Sequence, residues 1–317
     1  MPFSFHAETT GDEVVSAFRD RVKGRIFVVT GPSPKGIGAA GLLALAKAQP
    51  KALVLAGRTP SAFASVAQQI TSIDASIHVL SVALDLSSLA SVRSAAQKIV
   101  QDANIPHIDV LINNAGVMAC PLERTVDGLE RQFGTNHIGH FLFTSHLMPK
   151  LLKASEPRVV NVTSAGHRFA DVPVLLDDPN WEKTPYNVWV GYGQSKLANI
   201  LFSKELARRF PTVKAYSAHP GSVGTDLTRY LTQETLAEIF QRIAAEQYFE
   251  NPAMKTVEAG CSTTLVAALT PASEMENGAY FADCQVAVPK DTVTNAATAT
   301  KLWELSEKII EQPFGSA

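Results

Sequence analysis

The chain has 317 residues, 46% hydrophobic and 18% charged, which supplies apolar side chains for a sizeable core and excludes a disordered or collagen-like chain. Its 28 Lys plus Arg nearly cancel 30 Asp plus Glu, and a net charge of −2 leaves no sequence-wide basic field for nucleic acid or an anionic membrane. Cys120, Cys261 and Cys284 form no CxxC pair, which argues against a disulfide scaffold or a zinc site and for reduced thiols in a cytoplasmic protein.

Residues 1–23 read as an N-terminal extension in which Asp12, Glu13, Arg19 and Asp20 break any apolar run, so no signal peptide is expected. Strand-length apolar runs follow at 26–30, 52–56, 77–83, 109–112, 158–163, 213–218 and 279–281. Helical spacing fills the gaps at 40–49, 61–72, 88–101, 123–152 and 192–209. The longest apolar stretch, 141–152, contains His146 and Lys150 and falls short of the roughly 20 residues of a membrane span. Strands that are apolar throughout, alternating with helices, predict one doubly wound α/β domain with a parallel sheet and right-handed crossovers. Ligands of such sheets lie beyond the carboxyl ends of the strands, so chemistry is sought there.

After the first strand comes Thr30-Gly31-Pro32-Ser33-Pro34-Lys35-Gly36-Ile37-Gly38, opening a helix. Glycines in that position permit a tight turn and let a pyrophosphate approach the free amides at the positive end of the helix. The second strand ends at Gly57-Arg58, where an acid would be needed to bind both ribose hydroxyls of NAD. A guanidinium there, with Lys35 beside it, suits a 2′-phosphate and favours NADP. Further along, the strand at 158–163 delivers Ser164, whose hydroxyl would hydrogen-bond a carbonyl or alcohol oxygen. Tyr192 and Lys196, four residues apart on one helix face, form a pair in which the ammonium is expected to draw the phenol's pKa from about 10 toward neutrality.

With Asp85-Leu86, Asn113-Asn114-Ala115-Gly116, Asn136 and Pro220-Gly221 to Thr225 in the same order, the chain resembles the short-chain dehydrogenase/reductase family from about Gly24 to Ile310. Within it the chain is most similar to the retinol-dehydrogenase-like branch, through Tyr192-Gly193-Gln194-Ser195-Lys196-Leu197-Ala198-Asn199, His219-Pro220-Gly221 and Lys301-Leu302-Trp303-Glu304-Leu305-Ser306. The resemblance implies a Rossmann fold and catalysis by Asn136, Ser164, Tyr192 and Lys196. Tyr192 would be the general acid/base, Ser164 would hold the reacting oxygen, Lys196 would bind the nicotinamide ribose and Asn136 would support a relay water. It also implies coenzyme contacts from Gly31, Ser33, Lys35, Gly36, Ile37, Gly38, Arg58, Asp85, Leu86, Asn113, Ala115, Gly116, Pro220, Gly221, Val223 and Thr225. Two features depart from the family pattern: four residues rather than three separate Gly31 from Gly36, and 28 residue steps separate Ser164 from Tyr192 where about a dozen are common.

The long segment 165–190 carries Trp181, Tyr186 and Trp189, large apolar faces with polar edges, and is expected to shape the substrate pocket through Tyr186 and Trp189. Residues 226–250 have helical spacing and read either as a mobile lid or as a permanently docked helix. His137 and His140 lack a third ligand at a suitable spacing, so no metal is expected. The expected activity is NADP-dependent hydride transfer to a carbonyl of a small apolar substrate, of the polyketide or terpenoid kind met in secondary metabolism. An NADP-linked alcohol dehydrogenase working oxidatively, and a coenzyme-bound isomerase, cyclase or binding protein without redox turnover, are the alternatives. The long apolar helices 123–152 and 192–209 are expected to pair across a two-fold axis into a homodimer or homotetramer, as in family members.

Overall fold

The computed structural model describes residues 5–246, 254–290 and 295–316. Six of the apolar runs form the strands β1 (Ile26–Thr30), β2 (Ala52–Gly57), β3 (His78–Ala83), β4 (Val110–Asn113), β5 (Arg158–Val162) and β6 (Lys214–His219). A small separate pair, β7 (Ser222–Val223) and β8 (Met254–Lys255), precedes β9 (Tyr280–Ala282) and β10 (Gln285–Ala287). The main sheet runs β10-β9-β6-β5-β4-β1-β2-β3, parallel except for the β9–β10 hairpin. Strand order reverses between β1 and β4, the switch point beyond whose carboxyl edge such sheets bind their ligands.

Both faces of the sheet are buried. Ile26, Val28, Ala52 and Val54 face a layer built from the helices Leu89–Gln101, Gly139–Leu151, Val188–Arg209 and Ala296–Ile310. Their neighbours Phe27, Val29, Leu53 and Leu55 face Gly11–Ala17, Ile37–Ala46, Ala64–Ile73 and Ser262–Leu269. That two-sided burial is the physical reason the strands read as unbroken apolar runs. Part of the N-terminal extension belongs to this second layer: the helix Gly11–Ala17, started by a Thr10–Glu13 capping box, buries Val14 and Val15.

Two helix boundaries differ from expectation. Residues 123–130 form a loop closed by an Arg124–Glu130 bridge, with Gly128 at φ +79°. The helix starts only at Arg131–Phe133, because the Glu130 carboxylate caps the amides of Gln132 and Phe133. It then widens into a π turn over Gly134–Ile138 before continuing as Gly139–Leu151. The helix Val188–Arg209 begins one turn before Tyr192, since the Asn187 side chain accepts from the amides of Trp189 and Val190.

The expected pairing of these two helices between subunits meets an obstacle. Their outer faces are covered within the chain by the C-terminal helix and the residues after it, where Trp303 and Phe314 (ring centroids 4.5 Å apart) pack on Phe141, Phe202 and Phe210. Only Pro149 is exposed along Gly139–Leu151, and only Arg208 and Arg209 along Val188–Arg209. Trp303→Ala is expected to cost about 3–5 kcal/mol of stability in denaturant unfolding, and a loss under 1 kcal/mol would show that this cover contributes little.

Candidate active site

At the end of β1 the Gly31 amide donates to the Ala56 carbonyl (2.8 Å), fixing the loop against β2. Gly31 has φ +70°, and a Cβ there would stand 2.9 Å from the Ala115 Cα; one at Gly38 would stand 2.5 Å from the Gly31 carbonyl oxygen. Neither position accepts a side chain. The extra loop residue is absorbed in a turn, Gly36 N–H to Ser33 O at 2.8 Å. Gly36 then opens the helix Ile37–Ala46 with no side-chain cap, so its first amides point outward unpaired by a cap. A cradle without Cβ atoms, ending on uncapped amides at a helix N-terminus, fits a pyrophosphate.

The loop is held from below by Thr30 and Asn114. Thr30 Oγ1 accepts from the amides of Asn114 and Ala115, both at 2.9 Å. The Asn114 side chain donates to the carbonyls of Thr30 (2.8 Å) and Gly31 (3.2 Å). Asn113 faces the other way, into the sheet, and donates to Thr144 and Asn161. The Asp85 carboxylate accepts from Ser87, while Leu86 is buried in the core against Gly139. Arg58 and Lys35 are exposed and, among the described residues, join no ion pair. The segments that carry them abut: a Cβ on Gly57 would come 3.1 Å from Pro32 of the loop that carries Lys35. Across the cleft, Val223 and Ile37 side chains converge over Gly260, bringing the Pro220–Gly221 to Thr225 segment to the start of the same helix. Gly221 turns that segment at φ +85°, and Thr225 caps the turn Asp226–Tyr230.

Ser164, at the end of β5, accepts from the Gly166 amide at 3.1 Å and stands beside the Tyr192 ring, its Oγ 3.4 Å from where a Cβ on Gly166 would lie. Two glycines allow this closeness. A Cβ on Gly166 would meet the Tyr192 ring at 3.0 Å, and one on Gly193 would meet the Gly166 carbonyl oxygen at 2.6 Å. Lys196 donates to the Val162 carbonyl (3.2 Å) with its ammonium 5.7 Å from the Tyr192 ring centroid. The Asn136 side chain is taken up by the backbone of Val117, accepting from N–H and donating to O at 2.8 Å each, and by Ser195 Oγ at 2.9 Å. Gly116 lies between Asn136 and Lys196.

The expected softening of the phenol is not what the structure shows. Burial pushes Tyr192 up to about 12, opposed only by the Ser164 side chain, and presses Lys196 down to about 8. Four-residue spacing places both side chains on one face, but Lys196 reaches the ring and a carbonyl rather than the phenol oxygen. The histidines are buried too: His137 is pressed to about 3 and His140 to about 4, the first bonded to Ser306 and the second to Thr30 and the Asn136 carbonyl. Among the described residues no group of three His, Cys, Asp or Glu is placed to hold a metal.

Around Tyr192 an apolar cluster joins Ala119, Trp189, Met118, Val188, Leu231 and Ile239. The last two come from residues 226–246, which form the turn Asp226–Tyr230 and the helix Gln233–Ala245; Tyr248 and Phe249 of the expected lid lie outside the described residues. This helix is docked, with Trp189 Nε1 donating to the Thr235 carbonyl (2.9 Å) and Asn187 Nδ2 to Glu238 (2.8 Å). Trp189 stands edge-on to Tyr192. Tyr186 is committed elsewhere: its hydroxyl accepts from Gln132 Nε2 (2.8 Å) and faces the Cys120 carbonyl and the buried Glu130 carboxylate, while Trp181 packs on its ring. Trp189→Ala is therefore expected to raise a substrate's KM about tenfold, roughly 1.4 kcal/mol, or to change which substrates react, with coenzyme affinity kept. An unchanged KM and substrate range would assign the pocket wall to residues 226–246 alone.

Sequence reasoning weighed His140 only as a metal ligand beside His137 and named Thr30 only as the start of the glycine loop, and it did not single out Gly166 or the Glu130–Gln132 pair. Asn114 and Gly193 stand inside motifs that were legible. His140 stood four residues from Asn136, a spacing that marks a shared helix face without naming a partner.

The sequence profile of the short chain dehydrogenases matches residues 25–173. Retinol dehydrogenase 14 of Homo sapiens is 41% identical over 230 residues, covering 72% of this chain and 65% of that protein. Retinol dehydrogenase 11 of Mus musculus is 35% identical over 92% of this chain and 88% of its own length. Among solved structures, an uncharacterized protein from Mycobacterium paratuberculosis superposes with a TM-score of 0.72 at 32% identity, over 92% of this chain and 95% of that one. Among the described residues no helix is long and apolar enough to cross a membrane.

Proposed function

The chain belongs to the short-chain dehydrogenase family, and we propose that it is an NADP-dependent oxidoreductase reducing the carbonyl group of a small apolar ketone or aldehyde in the cytoplasm. Members of the family bind a nicotinamide dinucleotide. The observation that carries the proposal is the meeting of Ser164 and the Tyr192 ring across Gly166, with the Lys196 ammonium 5.7 Å from that ring, enclosed by the apolar cluster around Trp189. The relatives' names, retinol dehydrogenases, support an apolar alcohol/aldehyde pair as the substrate class. Exposed Arg58 and Lys35, with no acid at the end of β2, support NADP over NAD.

When bound, the coenzyme supplies a hydride to the carbonyl carbon. Gly31, Gly38 and the uncapped amides from Ile37 onward would hold its pyrophosphate, and Lys196 and the Pro220–Gly221 to Thr225 segment its nicotinamide end. Ser164 Oγ donates a hydrogen bond that fixes the carbonyl oxygen, and Tyr192 Oη gives that oxygen its proton. A phenol held near 12 is protonated at every physiological pH, which suits a proton donor and hence reduction. Lys196 places a positive charge beside the phenolate that forms. Trp189, Leu231 and Ile239 exclude water from the reacting carbon.

The test is NADPH consumption with a panel of apolar ketones and aldehydes, retinoid aldehydes included, and product identification by mass spectrometry. Oxidation of NADPH coupled to alcohol formation is expected, and no turnover with any member would overturn the reading.

A further inference from the structure

We propose that His140 is a positioning residue that joins the coenzyme loop to the Asn136 carbonyl, working as a neutral imidazole with its proton on Nδ1. The inference rests on the oxidoreductase reading for its functional consequence, and on hydrogen-bond valence for its chemistry.

His140 is 1% exposed, Thr30 and Asn136 not at all. Its Nδ1 lies 3.0 Å from the Asn136 carbonyl oxygen, which can only accept, so Nδ1 carries a hydrogen. Its Nε2 lies 2.9 Å from Thr30 Oγ1. That oxygen already accepts two backbone amides, from Asn114 and Ala115 at 2.9 Å each, which fills both lone pairs. Its one proton is left to donate, and the imidazole nitrogen facing it must be bare. A single assignment satisfies every atom: Ala115 and Asn114 N–H to Thr30 O, Thr30 O–H to Nε2, Nδ1–H to Asn136 O. A second proton on the ring would point at a hydroxyl with no lone pair free.

The chain of bonds connects two parts of the site. One end is the floor of the glycine loop, where Asn114 also grips the Gly31 carbonyl. The other is the π turn, whose Asn136 side chain is spent on Val117 and Ser195, leaving its carbonyl to be oriented by His140. The charged neighbour that acts on the ring is Lys196, which opposes a charge on it as burial does, while the Asn136 carbonyl favours one; His137 is itself held neutral by burial and by His140. A displacement at either end of the chain is thus felt at the other, through bonds too buried to be replaced by water.

The test has two arms. The imidazole nitrogens of the 15N-labelled full-length protein are followed from pH 5 to 8, with the His140 signal identified by its loss in His140→Gln. A neutral Nδ1–H ring that does not titrate is expected; an Nε2–H tautomer, or protonation near pH 6.5, overturns the proposal. In the kinetic arm His140→Gln, whose amide reaches toward Thr30 but not the Asn136 carbonyl, is expected to lower kcat about tenfold, the scale of one lost buried hydrogen bond. His140→Asn, which restores a donor to that carbonyl, is expected to recover part of the loss. Wild-type kcat in His140→Gln also overturns the positioning role. If the wild-type protein turns over no carbonyl, the oxidoreductase reading has failed and the nitrogen spectra alone decide the hydrogen-bond assignment.

Discussion

Tyr192→Phe is expected to slow turnover by at least ~100-fold, the range of general acid catalysis, while coenzyme affinity stays nearly constant. The ring packs among Ala119 and Trp189 and against Gly166, and those contacts survive the loss of one oxygen. What disappears is the proton that the proposed mechanism passes to the substrate oxygen. The coenzyme contacts proposed above lie in the glycine loop and the residues after β4 and β6, so its binding has no reason to change. The pH profile supplies a second readout. Burial holds Tyr192 near 12 and Lys196 near 8, so between those values the acid is intact while the ammonium is lost. A lysine whose pKa is depressed on folding is charged below about 8 and neutral above it, so the reduction rate should fall as pH rises through about 8. A rate that rises through that value, or Tyr192→Phe with wild-type turnover, would mean that another group protonates the substrate.

The strands were legible because burial on both faces writes itself as continuous apolar runs, and each predicted strand lies within a residue or so of the observed one. The glycine loop was legible because Gly31 and Gly38 hold positions where a Cβ meets backbone. Long-range geometry was not. Nothing local marks the π turn at Gly134–Ile138, and helical spacing across 123–152 hid a loop that Gly128 and the capping carboxylate of Glu130 create. The Tyr192–Lys196 pairing shows the limit in one place: spacing gave the shared face, but desolvation and the Val162 carbonyl decided the electrostatics. The outer faces of the two long helices show a similar limit, since apolarity on several helix faces says that something covers them and not whether the cover is a second subunit or Trp303 and Phe314 of the same chain.

Arg58→Asp is expected to weaken NADPH binding about 10–100-fold, the loss of one or two charge-assisted hydrogen bonds to the 2′-phosphate, while NADH binding holds or improves. The end of β2 is where the second strand meets the glycine loop, the seat proposed for the coenzyme ribose. Gly57 abuts Pro32, so Arg58 follows directly on a residue packed against the loop that carries Lys35. Both are exposed and, among the described residues, paired with no carboxylate, so each is available to a dianion without breaking an existing bond. A carboxylate at 58 repels the 2′-phosphate and accepts from the two hydroxyls of an unphosphorylated ribose, so the substitution acts on both coenzymes in opposite directions. Lys35→Ala should have the smaller effect, because an ammonium acts as a point charge where a guanidinium binds two oxygens in fixed geometry. Salt discriminates further: an exposed pair is screened within a Debye length of about 8 Å at physiological ionic strength, so the wild-type preference for NADPH should shrink as salt rises. Equal wild-type affinities for NADPH and NADH at low salt would remove the 2′-phosphate from this surface and leave Arg58 and Lys35 as solvated charges.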